Sequence, residues 1–128
     1  MTSSRWKIIA GVCFSAVPIV MMAFSAFLKF AHSPQVVAGM QKFGYSESAI
    51  VPIGIMEIAC VVLYAIPRMS VFGAILMTGY LGGAVATHVR VGDPAFVGPA
   101  ICGITAWVGL WLREERLHAL IPLRKRVP

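Results

Sequence analysis

Charge is what this chain has least of. Of its 128 residues only 12% are charged and only five are acidic, against roughly a quarter charged in an ordinary soluble domain. Recognisable catalytic motifs are missing too. There is no phosphate-binding glycine loop, no dinucleotide fingerprint, no nucleophile elbow and no zinc-protease helix, which excludes conventional nucleotide-using chemistry. Its three cysteines, Cys13, Cys60 and Cys102, fall in three different apolar blocks without a C-x-x-C pair. They read as small hydrophobes packing between helices rather than a disulfide or zinc framework, and no metal site is expected. Alternation of the barrel type is absent as well.

Long apolar runs are what the chain does have. Residues are 59% hydrophobic and segregated into four blocks, Ile8–Leu28, Ile50–Ile66, Met69–Val89 and Ala95–Leu112. Crossing a hydrocarbon core of about 30 Å takes roughly 20 helical residues, so each block is read as one transmembrane helix. The fold class expected is all-α: a single domain over residues 1–128, a four-transmembrane-helix bundle in a lipid bilayer, followed by a basic tail over 113–128. The opening Met1–Lys7 before an apolar run imitates a signal peptide, but the run is long and lacks a convincing cleavage site. Pro18 and Pro99 are expected to bend the first and fourth spans.

Four spans put both termini on one side. That side carries Arg5, Lys7, Arg68, Arg113, Arg116, Arg124, Lys125 and Arg126, whereas the other carries only Lys29, Lys42 and Arg90. The bias predicts cytoplasmic termini. The net charge of +6, concentrated in the tail, suits anionic headgroups better than nucleic acid, and no nucleic-acid partner is expected. The outer side then holds one long connection, Lys29 to Ala49, in which Phe43–Ser48 reads as a turn followed by a helix start.

An ionisable residue inside a span is a functional candidate because lipid makes it costly. Glu57 lies inside the second span and His88 near the end of the third. Helical spacing gives Tyr80, Thr87 and His88 a shared face on the third span. Glu57 is expected to face inward and pair with Lys29, His88 or Tyr80. Lys29, Glu57, Tyr80, Thr87 and His88 thus form a candidate buried ligand or proton site. Gly79, Gly83 and Ala86 make a small-residue face for helix packing, with the alternative that the glycines clear room for a flat ligand such as a quinone ring. At the outer boundary His32 offers a second histidine beside His88, and Arg90 and Asp93 are expected to pair with each other or with headgroups.

The run from Pro67 to Arg90, with Lys29, the Phe43–Tyr45 turn, Glu57 and the closing Trp111–Arg113, closely resembles the DoxX-like family of bacterial membrane proteins. That resemblance implies a four-helix bundle in the bacterial inner membrane. It also implies several roles, since relatives in the wider superfamily include a subunit of thiosulfate:quinone oxidoreductase, partners in thiol and oxidative-stress complexes, and eukaryotic cargo receptors or assembly chaperones. Three functions follow as expectations. The chain is a scaffold or accessory subunit of a membrane complex, binding another membrane protein or its own copies. Alternatively it is a quinone- or thiol-linked redox subunit holding a small hydrophobic ligand, with quinone the one cofactor considered. The third is a small oligomeric transporter or channel.

Overall fold

The computed structural model describes residues 2–126, so Met1, Val127 and Pro128 of the expected domain and tail lie outside the described residues. Five helices and no strand occur among these residues: α1 (Thr2–Phe30), α2 (Pro34–Lys42), α3 (Ile50–Ala65), α4 (Ser70–Arg90) and α5 (Val97–Arg113). Four of them, α1 by itself and α3, α4 and α5 each with the short 3-10 turn before it, are long and apolar enough to cross a membrane. Around the bundle α1 packs on α3 and α5, and α4 closes the ring between α3 and α5. Only 22 to 33% of each apolar span is buried within the chain. Phe24, Phe27, Ile55, Met56 and Ile104 are among many large apolar side chains left outside, as a protein solvated by lipid tails requires.

Glycine decides where the helices meet most closely. A methyl group on Gly73 would collide with the backbone of α3 at Tyr64 and Leu63. One on Gly109 would strike the α1 backbone at Ser15, and one on Gly11 would come within 2.5 Å of Arg113 Cγ and 2.9 Å of the Gly109 carbonyl. These contacts sit at the end of the bundle that carries the chain termini, called the near end below. The small-residue seam expected at Gly79 and Gly83 is not a contact within this bundle: nothing lies within 4 Å of a Cβ built at either position. Ala86 is exposed.

One element goes beyond the expectations and one expectation is corrected. The connection after α1 is a helix, α2, for much of its length. It begins at Ser33-Pro34, where proline in the first turn lacks only an N–H that no carbonyl would have taken. A turn follows at Phe43-Gly44, where Gly44 has φ +90°, and Glu47–Ala49 form a 3-10 turn leading into α3. Pro99 does not bend a span, because it lies in the first turn of α5 and interrupts no intrahelical bond. Pro18 is inside α1, fully buried. The tail starts by folding back on α5. His118 stacks on Trp111 with ring centroids 3.9 Å apart, and Leu117 is buried.

Candidate functional site

Near-end polarity is consumed internally. Tyr64, fully buried, places its hydroxyl 2.6 Å from the Ala106 carbonyl and 2.9 Å from Ser15 Oγ. A phenol has one proton; directed to the carbonyl, it leaves the Ser15 hydroxyl to donate to the phenolic oxygen. Arg113 Nε donates to Ser15 Oγ at 3.0 Å, and its guanidinium lies 5.5 Å from the Tyr64 ring centroid. This cluster was not foreseen from the sequence. The signal for it, Tyr64 on the same face as Glu57, was visible.

At the far end the arrangement differs. Glu57 lies seven residues into α3, about 10 Å from its start at helical rise, and is only 3% exposed. Of the three partners open to it, Lys29 is the one that pairs with it directly, and the Tyr80 phenol is also near its carboxylate. Lys29 Nζ donates to Glu57 Oε1 at 3.0 Å and to Ser25 Oγ at 2.7 Å. Ser25 precedes Lys29 by one helical turn, so α1 itself steers the ammonium toward α3. Gly54, one turn before Glu57, lets the Lys29 stem and the Phe30 ring come against α3, its built Cβ standing 3.3 Å from Lys29 Cβ.

Beside this pair is a cavity of about 510 Å³, within the roughly 300–1,000 Å³ of pockets that hold small molecules. Lys29, Glu57, Tyr80, Thr87 and His88 all line it, and so do Gly79 and Gly83. Its apolar wall holds Met21, Met22, Met40 and Met56, with Cys102 beside Met21 at 3.7 Å between sulfurs. None of these five sulfur residues was foreseen as lining, because methionines in apolar spans look like ordinary core. Methionine supplies a polarizable wall that adjusts to a ligand's outline.

The turn after α2 reaches the same cavity with Phe43 and Tyr45. Phe43 packs on His88 with ring centroids 4.7 Å apart, and Tyr45 and Thr87 hydroxyls are 3.4 Å apart. His88 Nδ1 lies 2.7 Å from the Ala84 carbonyl. It therefore donates there, and in the neutral ring that leaves Nε2 as an acceptor. The expected Arg90–Asp93 pair does not form. Arg90 donates to the Phe43 carbonyl, and Asp93 meets Lys42 at 3.7 Å across the α2–α4 boundary. Asp93 also accepts from the Ala95 N–H at 2.9 Å, and this bond holds its carboxyl below the usual carboxylate range, with Lys42 and His88 adding to the effect. His32, exposed at φ 51° after α1, does not line the cavity with His88. Among the described residues no three His, Cys, Asp or Glu side chains are grouped to hold a metal ion.

A second, more open groove of about 490 Å³ runs between α4 and α5, lined by Gly82, Val85, Gly103, Ile104 and Trp107 among others. Trp107 Nε1 donates to Thr78 Oγ1 at 2.6 Å at its near end.

Comparison with known proteins gives one positive result. We find no match among curated proteins and none among solved structures. The model of the DoxX-like family matches residues 13–110, a stretch that begins about three turns into α1, ends in the last turn of α5 and contains the whole far-end cavity. This small integral membrane protein belongs to the DoxX-like family.

Proposed function

We propose that the chain is a ligand-binding accessory subunit of a membrane complex, holding one small, largely apolar molecule inside its bundle. The observation that carries this reading is the cavity that gathers a buried ion pair, a phenol and an imidazole against a methionine-rich wall. A bundle optimised only for packing would fill that volume, since empty space forfeits dispersion contacts. Gly79 and Gly83 line the cavity with nothing within 4 Å of a Cβ at either position, which favours the flat-ligand alternative over a helix seam. The size and lining suit a ring of the quinone type held in its reduced, quinol form, whose hydroxyl both donates and accepts, and a redox partner would be reached through such a ligand. By the distribution of basic residues, the termini face the cytoplasm of a bacterial inner membrane and the cavity lies toward the outer leaflet.

The test is to purify wild type and Gly83→Leu in detergent, extract each with organic solvent and quantify small molecules by mass spectrometry. Wild type should carry one compound at near-stoichiometric amounts, and Gly83→Leu, whose new side chain enters the open space, should lose it while folding normally. If the two preparations carry the same extractable molecules, the cavity is not a binding site.

A scaffold role keeps one specific support, the α4–α5 groove with its small residues Gly82 and Gly103. Such surfaces admit another helix closely. Gly103→Leu is then expected to lose membrane-protein partners that Gly83→Leu retains, as read by affinity purification. Retention of the same partners by both variants removes this support.

A further inference from the structure

We infer that the molecule held in the far-end cavity carries a neutral head with a hydrogen-bond donor beside an acceptor, of the phenol, alcohol or carboxamide kind, and that anionic and cationic heads are rejected. The inference deepens the ligand-binding reading above and rests on it.

The argument begins with the charge count of the lining. Lys29 and Glu57 are the two charged residues that line the cavity, and they are already bonded to one another. The site therefore presents charges of both signs and no net charge. An ammonium has three donors; Lys29 commits two of them, to Glu57 Oε1 and Ser25 Oγ. Glu57 uses Oε1 for that bond, which leaves the lone pairs of its second oxygen, Oε2, untouched by Lys29, with the Tyr80 phenol near the same carboxylate. Both groups are nearly sealed from outside solvent, with side-chain exposures of 11 and 4%, so water does not screen what enters next to them.

Consider each class of head in turn. A carboxylate, sulfonate or other anion gains Lys29 but lies against Glu57, and a like charge in a poorly screened site opposes it. To bind well it would have to separate Lys29 from Glu57 and leave the carboxylate buried alone. An ammonium meets the mirror-image difficulty at Lys29. A hydroxyl or amide disturbs neither partner: its oxygen accepts the third Lys29 proton while its own O–H or N–H donates to Glu57 Oε2. Tyr80, lining the cavity on the adjoining helix, adds a further phenolic donor or acceptor for the same head. Discrimination here comes from the repulsive member of the pair as much as from the attractive one. The body of the ligand would then lie along Met21, Met22, Met40 and Met56, which accept varied apolar outlines; identity is thus set at the head.

The test uses three probes with one body and different heads: para-heptylphenol, para-heptylbenzoate and para-heptylbenzylammonium. Each radiolabelled probe is equilibrated at pH 7.5 with the full chain in lipid nanodiscs, and uptake into empty nanodiscs is subtracted to remove partition into lipid. Gly83→Leu nanodiscs serve to define binding at the cavity. The phenol should bind wild type more tightly than either ion by about tenfold or more. Glu57→Gln, which keeps a carbonyl acceptor but removes the opposing charge, should reverse the order and favour the benzoate. Equal binding of all three probes to wild type, or benzoate binding best, overturns the neutral-head inference while leaving the cavity as a binding site. If no probe exceeds its binding to Gly83→Leu, the ligand-binding reading itself fails and this inference falls with it. The wild-type ranking decides the matter even if Glu57→Gln does not fold.

Discussion

Replacing Glu57 with glutamine changes one atom type and removes one charge, so its cost isolates what the buried pair contributes to the fold. At 3.0 Å and an effective dielectric of about 20, the attraction between Lys29 and Glu57 is about 5.5 kcal/mol. Two effects reduce the observable loss. The glutamine carbonyl still accepts a hydrogen bond from the ammonium, retaining about 1 kcal/mol. In the membrane-inserted but unassembled state Lys29, at the last turn of α1, extends its stem toward the headgroups and regains hydration, so folding strands it less than depth alone suggests. We expect Glu57→Gln to lose about 2–4 kcal/mol, near the low end of what removing one partner of a buried pair costs. Replacing both residues with methionine should restore stability to within about 1 kcal/mol of wild type, because neither charge is then left alone. The assay is reversible unfolding in mixed micelles of increasing denaturing detergent, followed by circular dichroism. A loss under about 0.5 kcal/mol for Glu57→Gln, or a double variant no better than the single, would refute the reasoning.

Three other outcomes follow from the geometry. Gly73→Ala should destabilise the bundle by about 2–3 kcal/mol, since the obstacle is the Tyr64 backbone rather than a side chain that can swing away; Gly79→Ala, facing open space, should be neutral or gain up to about 1 kcal/mol from helix propensity. The same micelle titration reads both. Tyr64→Phe should cost about 1 kcal/mol and no more, because the Ala106 carbonyl remains in the α5 ladder and Ser15 keeps its bond from Arg113. Asp93, whose carboxyl is held low by the Ala95 N–H, contributes order that is fully present above the unfolded carboxylate range and is lost as pH falls through the lower folded value. Amide exchange at Ala95 should therefore accelerate only below about pH 4, relative to an unstructured reference peptide, and Asp93→Asn should abolish that acid transition.

Much of the architecture was legible because hydrocarbon thickness dictates it. The expected block Ile50–Ile66 became Ile50–Ala65, and Met69–Val89 became Ser70–Arg90, each boundary falling where a proline or a charged residue ends the apolar run. The helix α2 was not read: nine residues with Gly39 inside offer a weak pattern, and the Ser33-Pro34 start was outweighed by the Phe-Gly-Tyr turn that follows. At the site, Lys29, Glu57, Tyr80, Thr87 and His88 could be named because polar side chains stand out in an apolar span. Their shared cavity could not be read, nor could the choice of Lys29 as partner, because helix rotation and the approach of α1 to α3 at Gly54 are tertiary facts. Gly79 and Gly83 left two readings open for a related reason. Small residues mark any place where volume is withheld, and spacing does not say whether a helix or a void takes it.

The two ends of the same bundle use their glycines differently. At the near end Gly11, Gly73 and Gly109 each face backbone from a neighbouring helix, and the polar groups between the helices, Ser15, Tyr64 and Arg113, satisfy one another. At the far end Gly54 still brings α1 against α3, but Gly79, Gly83 and Gly98 face open space beside a charged pair that lines a cavity. Near-end glycines are spent on contact and far-end glycines on room. Were polarity needed only to hold helices together, a network like that of Tyr64, Ser15 and Arg113 would serve at both ends without a buried ion pair and without an adjoining void. An ion pair is a poor choice for stability alone, since apolar replacements of similar volume often match it. Placing that pair where the helices leave space is the arrangement that the proposed ligand accounts for, since a bound head would complete the hydrogen bonds of Lys29 and Glu57 that the helices do not supply.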